Sequence, residues 1–235
     1  MEENDLVKSL KAKGADLGDD LFGIADAEEF LCESYQGGRP QDIMEDCRSV
    51  VVIGVALLQG SIESLPKGRA EYTNSLLAAT VTLRFISFSL SRQLEKAGYK
   101  ATIIPAEGSE FGYWYVDKKT LKADVSLRYA AYLAGLGNYG LSHNFITDEY
   151  GPRVRFMAIV TNAPLVTEKV IVRNLLSDKC KSCLKCVGAC PAGALTAEGT
   201  IYRERCKDYM FGELAGLRCG MCIKVCPHKK VLKRV

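Results

Sequence analysis

The chain has 235 residues, of which 48% are hydrophobic and 25% charged. These values are typical of a soluble globular protein with one large domain, or with a domain and a smaller module. The 31 basic and 28 acidic side chains leave a net charge of +3, which is too small to favour a nucleic-acid or membrane partner. The N-terminus lacks an apolar export segment, and Arg84 interrupts the longest apolar run. We therefore expect a cytoplasmic protein.

Helical and strand patterns alternate through the first part of the chain. In chain order they predict a helix at 5–17, a strand at 21–26, a short helix at 41–47, a buried strand at 49–58, a long helix from Glu71 to Lys96, a strand at 99–106, a helix at 121–133 and a strand at 154–162. Gly98 suits the position just after the long helix. Leu121, Val125, Tyr129 and Tyr132 can share one face of the penultimate helix. The patterns predict an α/β layered domain and leave its strand order open.

Three glycines follow that helix in the stretch AGLGNYGLSHNF, residues 134–145. Gly135, Gly137 and Gly140 have the spacing G-x-G-x-x-G. A dinucleotide site needs a strand, then the glycine turn, then a helix. Here a helical pattern comes first and a loop and strand follow, so we expect no nicotinamide site. A helix C-cap explains one glycine, whereas three glycines would also let the backbone approach a large cofactor.

Ten cysteines are the most informative feature of the composition. Cys32 and Cys47 stand alone, and we expect both to be buried apolar thiols. The other eight fall between 180 and 226, which places a domain boundary near 175. We expect an α/β core at 1–175 and a metal-binding module at 176–235, because cysteines in a protein without an export signal point to metal rather than disulfides.

The eight clustered cysteines have the spacing of a bacterial two-cluster ferredoxin. The first run is C-x2-C-x2-C-x3-C followed by Pro191, and the second ends in a cysteine followed by Pro227. In such modules the fourth cysteine of each run binds the other cluster. The expected ligands of the first [4Fe–4S] cluster are Cys180, Cys183, Cys186 and Cys226. Those of the second are Cys190, Cys206, Cys219 and Cys222. Two zinc sites or free thiols are the alternatives, although zinc does not require a proline after the last cysteine.

Three further motifs carry a family resemblance. AGLG-x-x-G, YGPRVR and T-x-A-P-L precede the cysteines in that order. Together with the ferredoxin module, they resemble the epoxyqueuosine reductase and reductive dehalogenase family of cobalamin-dependent iron–sulfur enzymes, over about residues 124–228. The resemblance implies a nitroreductase-like core, so that the fold class would be α+β, and cobalamin bound without a protein lower ligand. It places Gly135, Gly137 and Gly140 against the corrinoid.

The remaining candidate residues surround these motifs. Leu141 stands where the tRNA enzymes of the family usually have a lysine, and the chain ends eight residues after Pro227, so we do not expect a tRNA substrate. The candidate proton donors, each with a structural role as the alternative, are Asp117, Asp124, Tyr139 and His143. Arg153 and Arg155 alternate on a predicted strand, where they could hold an anionic cofactor tail or substrate, or form a solvated pair.

These observations predict a reductase in which two clusters pass electrons to a cofactor in the core. Cobalamin is the expected cofactor and FMN the less favoured one, and the substrate would be a small organic molecule. Ferredoxin or flavodoxin would serve as electron donor. The alternative functions are reductive activation of a partner such as a corrinoid protein, and a flavin-dependent reductase.

Overall fold

The computed structural model describes residues 3–106, 109–110, 113–114, 117, 119, 122–165 and 175–228. Its helices are α1 (Glu3–Asp16), α2 (Pro40–Ile43), α3 (Gln59–Glu63), α4 (Arg69–Lys96), α5 (Leu127–Leu133), α6 (Lys185–Gly188), α7 (Arg203–Asp208) and α8 (Met221–Lys224). Its strands are β1 (Leu21–Asp26), β2 (Ser49–Ala56), β3 (Ala101–Ile104), β4 (Ser109–Glu110), β5 (Tyr113–Trp114), β6 (Gly137–Tyr139), β7 (Phe145–Thr147) and β8 (Val154–Thr161). Ala27–Leu31 and Asp178–Cys180 are 3-10 turns, and Tyr209–Glu213 is a π turn.

The chain divides into two compact units. The first comprises Met1–Val55, Thr80–Leu136 and Arg155–Val172. The second comprises Ala56–Ala79, Gly137–Val154 and Arg173–Val235. Each unit is therefore built from segments that are distant in sequence.

A four-stranded sheet with the order β1-β2-β8-β3 organises the first unit. β1 runs antiparallel to β2, and β3 runs antiparallel to β8. Four α4 side chains recur every three or four positions and are fully buried: Leu83, Ile86, Leu90 and Leu94. They join residues of α1, β2 and β8 in one core. Truncation of any one of them to alanine should cost about 2–5 kcal/mol of folding stability.

Most of the predicted elements are confirmed. The structure contains the expected helix at α1, the long helix α4 and the strands β1, β2, β3 and β8. Gly98 follows α4 with φ +92°, as a residue after a helix C-cap often does. The chain is a mixture of helix and sheet, as predicted, and the nitroreductase-like architecture of the core stays a prediction. Among the described residues, no helix has the length and apolar character that a membrane crossing would require.

Two predicted helices are shorter than expected. The helix at 41–47 is reduced to α2, which ends at Ile43. The helix at 121–133 begins only at Leu127, because the Ser126 side chain accepts the N–H of Tyr129 and caps the helix there. Leu121, which was expected on its apolar face, lies outside the described residues.

The second unit includes more than the predicted cysteine module. Residues 56–79 and 137–154 group with the cysteine segment. Arg69 Nη1 donates to the Cys219 carbonyl at 2.9 Å, and Arg218 N donates to Thr73 Oγ1 at 2.8 Å. These bonds attach the first turns of α4 to the cysteine segment. The boundary near 175 remains a prediction, and it differs from the division into compact units.

Candidate metal centre

The two cysteine runs adopt the same local conformation. In each run a left-handed residue follows a cysteine and precedes a short helix that carries the next cysteine. In the first run this residue is Leu184, with φ +46°, and in the second it is Gly220, with φ +66°. The short helices that follow are α6, which carries Cys186, and α8, which carries Cys222. The repeated turn is the local structure expected of two related cluster-binding loops.

Cys226 belongs electrostatically with the first run although it lies at the end of the second. Burial raises the pKa of the Cys226 thiol, and so do the negative charges of Cys180, Cys183 and Cys186. One cavity is lined by these four cysteines and also by Leu141, Ser142, Ile146, Leu184, Lys185, Cys222, Pro227 and His228. The structure thus brings together the four residues expected to bind the first cluster.

The other four cysteines form a second group. Burial raises the pKa of Cys206, and the charges of Cys190 and Cys219 raise it further. Burial also raises the pKa of Cys222 to about 12, the Asn144 hydrogen bond lowers it, and Cys219, Cys206 and Cys186 of the first group raise it further. Cys190 therefore influences the second group although it ends the first run. The influences on the pKa values of Cys226 and Cys206 are those expected from the crossed pattern, and the assignment of ligands to clusters stays a prediction.

The chemistry of the thiol groups fits iron–sulfur clusters. Thiolates are the form that binds metal, and buried thiols with raised pKa values need a nearby cation to lose their protons. Within the described ranges, no three His, Cys, Asp or Glu side chains form a site for one metal ion. A [4Fe–4S] cluster does not need several side chains to meet at one metal ion, because each of its four irons binds one thiolate.

Asn144 makes a contact that the sequence patterns do not identify. Its amide Nδ2 lies 3.2 Å from Cys222 Sγ and 3.1 Å from Ser142 Oγ. The neighbouring His143 has φ +58°, and its Nε2 lies 2.8 Å from the Gly199 carbonyl oxygen. Since a carbonyl only accepts, His143 Nε2 carries the proton and donates it. This bond matches the structural alternative for His143, and its role as proton donor remains a prediction.

The three glycines of AGLGNYG are all explained by nearby atoms of the chain. Gly135 has φ +73°, and its N–H donates to the Tyr132 carbonyl just after α5. A Cβ on Gly137, whose φ is +152°, would lie 2.2 Å from the Ile146 carbonyl oxygen. A Cβ on Gly140 would lie 2.7 Å from Ile146 Cδ1. α5 precedes the glycines, as predicted, and β6 begins at Gly137, so that Gly140 directly follows this strand. The close approach at Gly137 and Gly140 is to the paired strand β7 and its flank.

The two candidate arginines are held by backbone carbonyls. Arg153 is only 6% exposed. Its Nη1 donates to the Leu57 carbonyl at 2.8 Å, its guanidinium lies 5.1 Å from the Tyr150 ring centroid, and its buried Nε has no hydrogen-bond partner. Arg155 is half-buried, and its Nη2 donates to the Ala106 carbonyl at 2.9 Å. Arg153 precedes β8, so the expectation that both arginines lie on the strand is wrong for Arg153.

The other proton-donor candidates occupy different settings. Asp117 and Asp124 are exposed, and an Asp117 carboxylate oxygen accepts the Lys119 N–H at 3.0 Å. Tyr139 lies on β6, and its ring meets Phe145 edge-on at 6.0 Å. Their catalytic roles stay predictions.

The two isolated cysteines differ from each other. Cys47 is buried as expected, and burial raises its pKa to about 11. The expectation is wrong for Cys32, which is exposed. Its Sγ lies 3.1 Å from Ser34 Oγ, and this hydrogen bond lowers the pKa of the Cys32 thiol.

Comparison with known proteins identifies the cysteine module and its relatives. The family described as a 4Fe-4S dicluster domain matches residues 179–230. Tetrachloroethene reductive dehalogenase from Sulfurospirillum multivorans is 28% identical over 203 residues, which cover 80% of this chain and 37% of that protein. Epoxyqueuosine reductase from Lactococcus garvieae is 24% identical over 262 residues, covering 95% of this chain and 71% of that one.

Solved structures show the same fold. A reductive dehalogenase described in connection with B12-dependent dehalogenation has a TM-score of 0.72 at 22% identity. The match covers 93% of this chain and 31% of the dehalogenase chain. An epoxyqueuosine reductase with a modified tRNA-Tyr stem loop has a TM-score of 0.66 at 22% identity. The match covers 97% of this chain and 66% of the reductase chain. The chain therefore spans about a third of the dehalogenases that it matches.

Proposed function

Because this chain belongs to the family of epoxyqueuosine reductases and reductive dehalogenases, we propose that it is an iron–sulfur oxidoreductase with two [4Fe–4S] clusters. The observation that carries the proposal is the crossed grouping of the eight thiols. The match to a dicluster domain over the same residues supports it independently. A single run of cysteines would bind one cluster alone, whereas crossed runs tie two clusters into one module.

The cysteines have assigned roles in this proposal. Cys180, Cys183, Cys186 and Cys226 would hold the first cluster, and Cys190, Cys206, Cys219 and Cys222 the second. Clusters of this kind supply one-electron transfer at potentials set by charge, burial and hydrogen bonds to sulfur. The chain's own contribution is to keep the eight thiols grouped, with Cys180 buried and the other seven partly buried.

The proposed electron acceptor is cobalamin, and the proposed substrate is a small organic molecule. A relative's B12-dependent dehalogenation supports the cofactor by family membership. The glycines of AGLGNYG give it no separate support, because Gly137 and Gly140 closely approach Ile146 of their own chain. We therefore assign no reaction step to a corrinoid. A tRNA substrate is left out of the proposal, since a net charge of +3 gives little attraction for phosphates.

Metal analysis of anaerobically purified protein tests the cluster proposal. About eight irons and eight acid-labile sulfides per chain are expected, with a reduced-state electron paramagnetic resonance signal from two interacting clusters. Stoichiometric zinc without sulfide would contradict it.

Optical spectra of the same preparation test the acceptor. Corrin bands, or spectral changes on titration with cob(II)alamin, would support a cobalamin-dependent reductase. Flavin bands would favour the flavin enzyme. Iron–sulfur absorption alone, with no response to cobalamin, would favour a protein that accepts electrons from ferredoxin or flavodoxin and reduces a partner.

A further inference from the structure

Asn144 lies in the turn between β6 and β7 and contacts a sulfur of the second cysteine group. Its Nδ2 is 3.2 Å from Cys222 Sγ. A side-chain amide nitrogen has two hydrogens, and the second points to Ser142 Oγ at 3.1 Å. Both hydrogens are thereby used, and a thiolate, which only accepts, fixes which end of the amide faces the sulfur.

The turn that carries Asn144 is held in place by several hydrogen bonds. Gly140 N donates to the Asn144 carbonyl at 2.8 Å, and His143 N donates to the Gly140 carbonyl at 2.9 Å. His143 Nε2 donates to the Gly199 carbonyl. A donor whose backbone is fixed in this way loses little conformational entropy when it bonds to sulfur.

Cys222 is a sulfur at which a donor should have a large effect. Cys222 is partly buried, and its Sγ lies 3.2 Å from Asn144 Nδ2. An electrostatic interaction is stronger where water is excluded. The hydrogen bond from the Asn144 side chain to sulfur reaches the second group, at Cys222.

We propose that Asn144 raises the reduction potential of the second cluster, so that the two clusters of this chain are unequal. Reduction adds one electron to the cluster and breaks no bond. The added negative charge is shared by the cysteine sulfurs, so the Asn144–Cys222 hydrogen bond is stronger in the reduced state than in the oxidised state. Asn144 is a positioning and tuning residue that contacts a ligand, and it needs no contact with substrate.

Redox titration monitored by electron paramagnetic resonance tests this inference, which rests on the proposed cluster function. In anaerobically purified Asn144→Leu, the reduction equilibrium of the second cluster should become five- to tenfold less favourable. This corresponds to about 40–60 mV, at 59 mV per tenfold for one electron. The first cluster should keep its potential. Cys190→Ala, which removes a ligand of the second group, identifies which signal belongs to that cluster.

Two further variants make the result decisive. Asn74→Leu makes the same substitution at an exposed position of α4 and should leave both potentials unchanged. Asn144→Asp keeps the side-chain size and replaces the donor with a carboxylate, so it should lower the potential at least as far as leucine does. This variant decides the question if Asn144→Leu fails to assemble its second cluster.

The failures of the two proposals can be told apart. Parent protein without iron and sulfide would overturn the cluster function itself. Parent protein with two clusters, combined with potentials in Asn144→Leu or Asn144→Asp that stay within about twofold of the parent equilibrium, would overturn only the role of Asn144.

Discussion

Substitution of Gly137 by alanine should destabilise the folded protein whether or not any cofactor is bound. The residue begins β6 and has φ +152°, a conformation that side-chain-bearing residues rarely adopt. Its new Cβ would lie 2.2 Å from the Ile146 carbonyl oxygen and 3.0 Å from Thr147 Cα. All of these atoms are backbone on the paired strand β7, so a rotamer change cannot relieve the contact.

The expected magnitude has three parts. The unfavourable φ costs about 1–2 kcal/mol, and overpacking against backbone adds about 1–3 kcal/mol. Alanine also restricts the unfolded chain, which offsets about 0.4–1 kcal/mol. The net loss for Gly137→Ala is about 3 kcal/mol. Gly216→Ala is the matched control, because Gly216 belongs to the same unit and has φ +93°, and no described atom beyond its chain neighbours lies within 4 Å of the new methyl group. The loss for this variant should be about 1 kcal/mol.

Differential scanning calorimetry of the anaerobic, iron-replete proteins measures the difference. For a chain of this size, about 1 kcal/mol corresponds to a shift of about 2–4 °C in Tm. Gly137→Ala should therefore melt about 6–12 °C below the parent, and Gly216→Ala about 2–4 °C below it. Equal shifts for the two variants would refute the close approach to Ile146. A parent-like Tm for Gly137→Ala with lost cobalamin binding would instead support a cofactor against this glycine.

Three other predictions concern thiols and one carboxylate. Cys190→Ala should damage the cluster held by the second run, and Cys226→Ala the cluster held by the first; redox titration showing the reverse would disprove the crossed pairing. In the iron-replete protein, iodoacetamide should label Cys32 well before Cys47, since the former is exposed with a lowered pKa and the latter is buried with a pKa of about 11; mass mapping with the opposite order would contradict this. Burial and then Asp20 raise the pKa of Asp19 to about 6 from 3.8. The folded state therefore favours the protonated carboxyl, and the stability it contributes is lost as pH rises through this interval. Asp19→Asn should accordingly stabilise the protein by about 1 kcal/mol at about pH 7.5, after allowance for solvent screening. At about pH 3.5 the same substitution should bring no gain, and a Tm gain independent of pH would count against the raised pKa of Asp19.

The fold was predictable where a local pattern is long and regular. β2 contains six consecutive buried residues, and α4 repeats its apolar residues over 28 positions. Such patterns specify secondary structure without knowledge of the neighbours. The start of α5 was not predictable from hydrophobic periodicity, because the Ser126 cap outweighs the apolar residues that precede it. The strand order of the sheet was also not predictable. β8 lies between β2 and β3, and its residues pair with β3 residues more than fifty positions earlier in the chain.

The candidate site divides in the same way. Cysteine spacing reports a local loop geometry, and the structure repeats the same turn in both runs, at Leu184 and at Gly220. The assignment of ligands to clusters remains a prediction. Asn144 bonds to a sulfur 78 positions away, and no local spacing encodes such a contact. Two glycines help to place Asn144. Gly137 allows β6 to approach β7, and the Gly140 N–H donates to the Asn144 carbonyl within the turn. On this reasoning, AGLGNYG matters to the proposed metal centre because Gly140 begins the turn that presents Asn144 to Cys222. A glycine substitution that deforms this turn should alter the proposed second cluster through that contact.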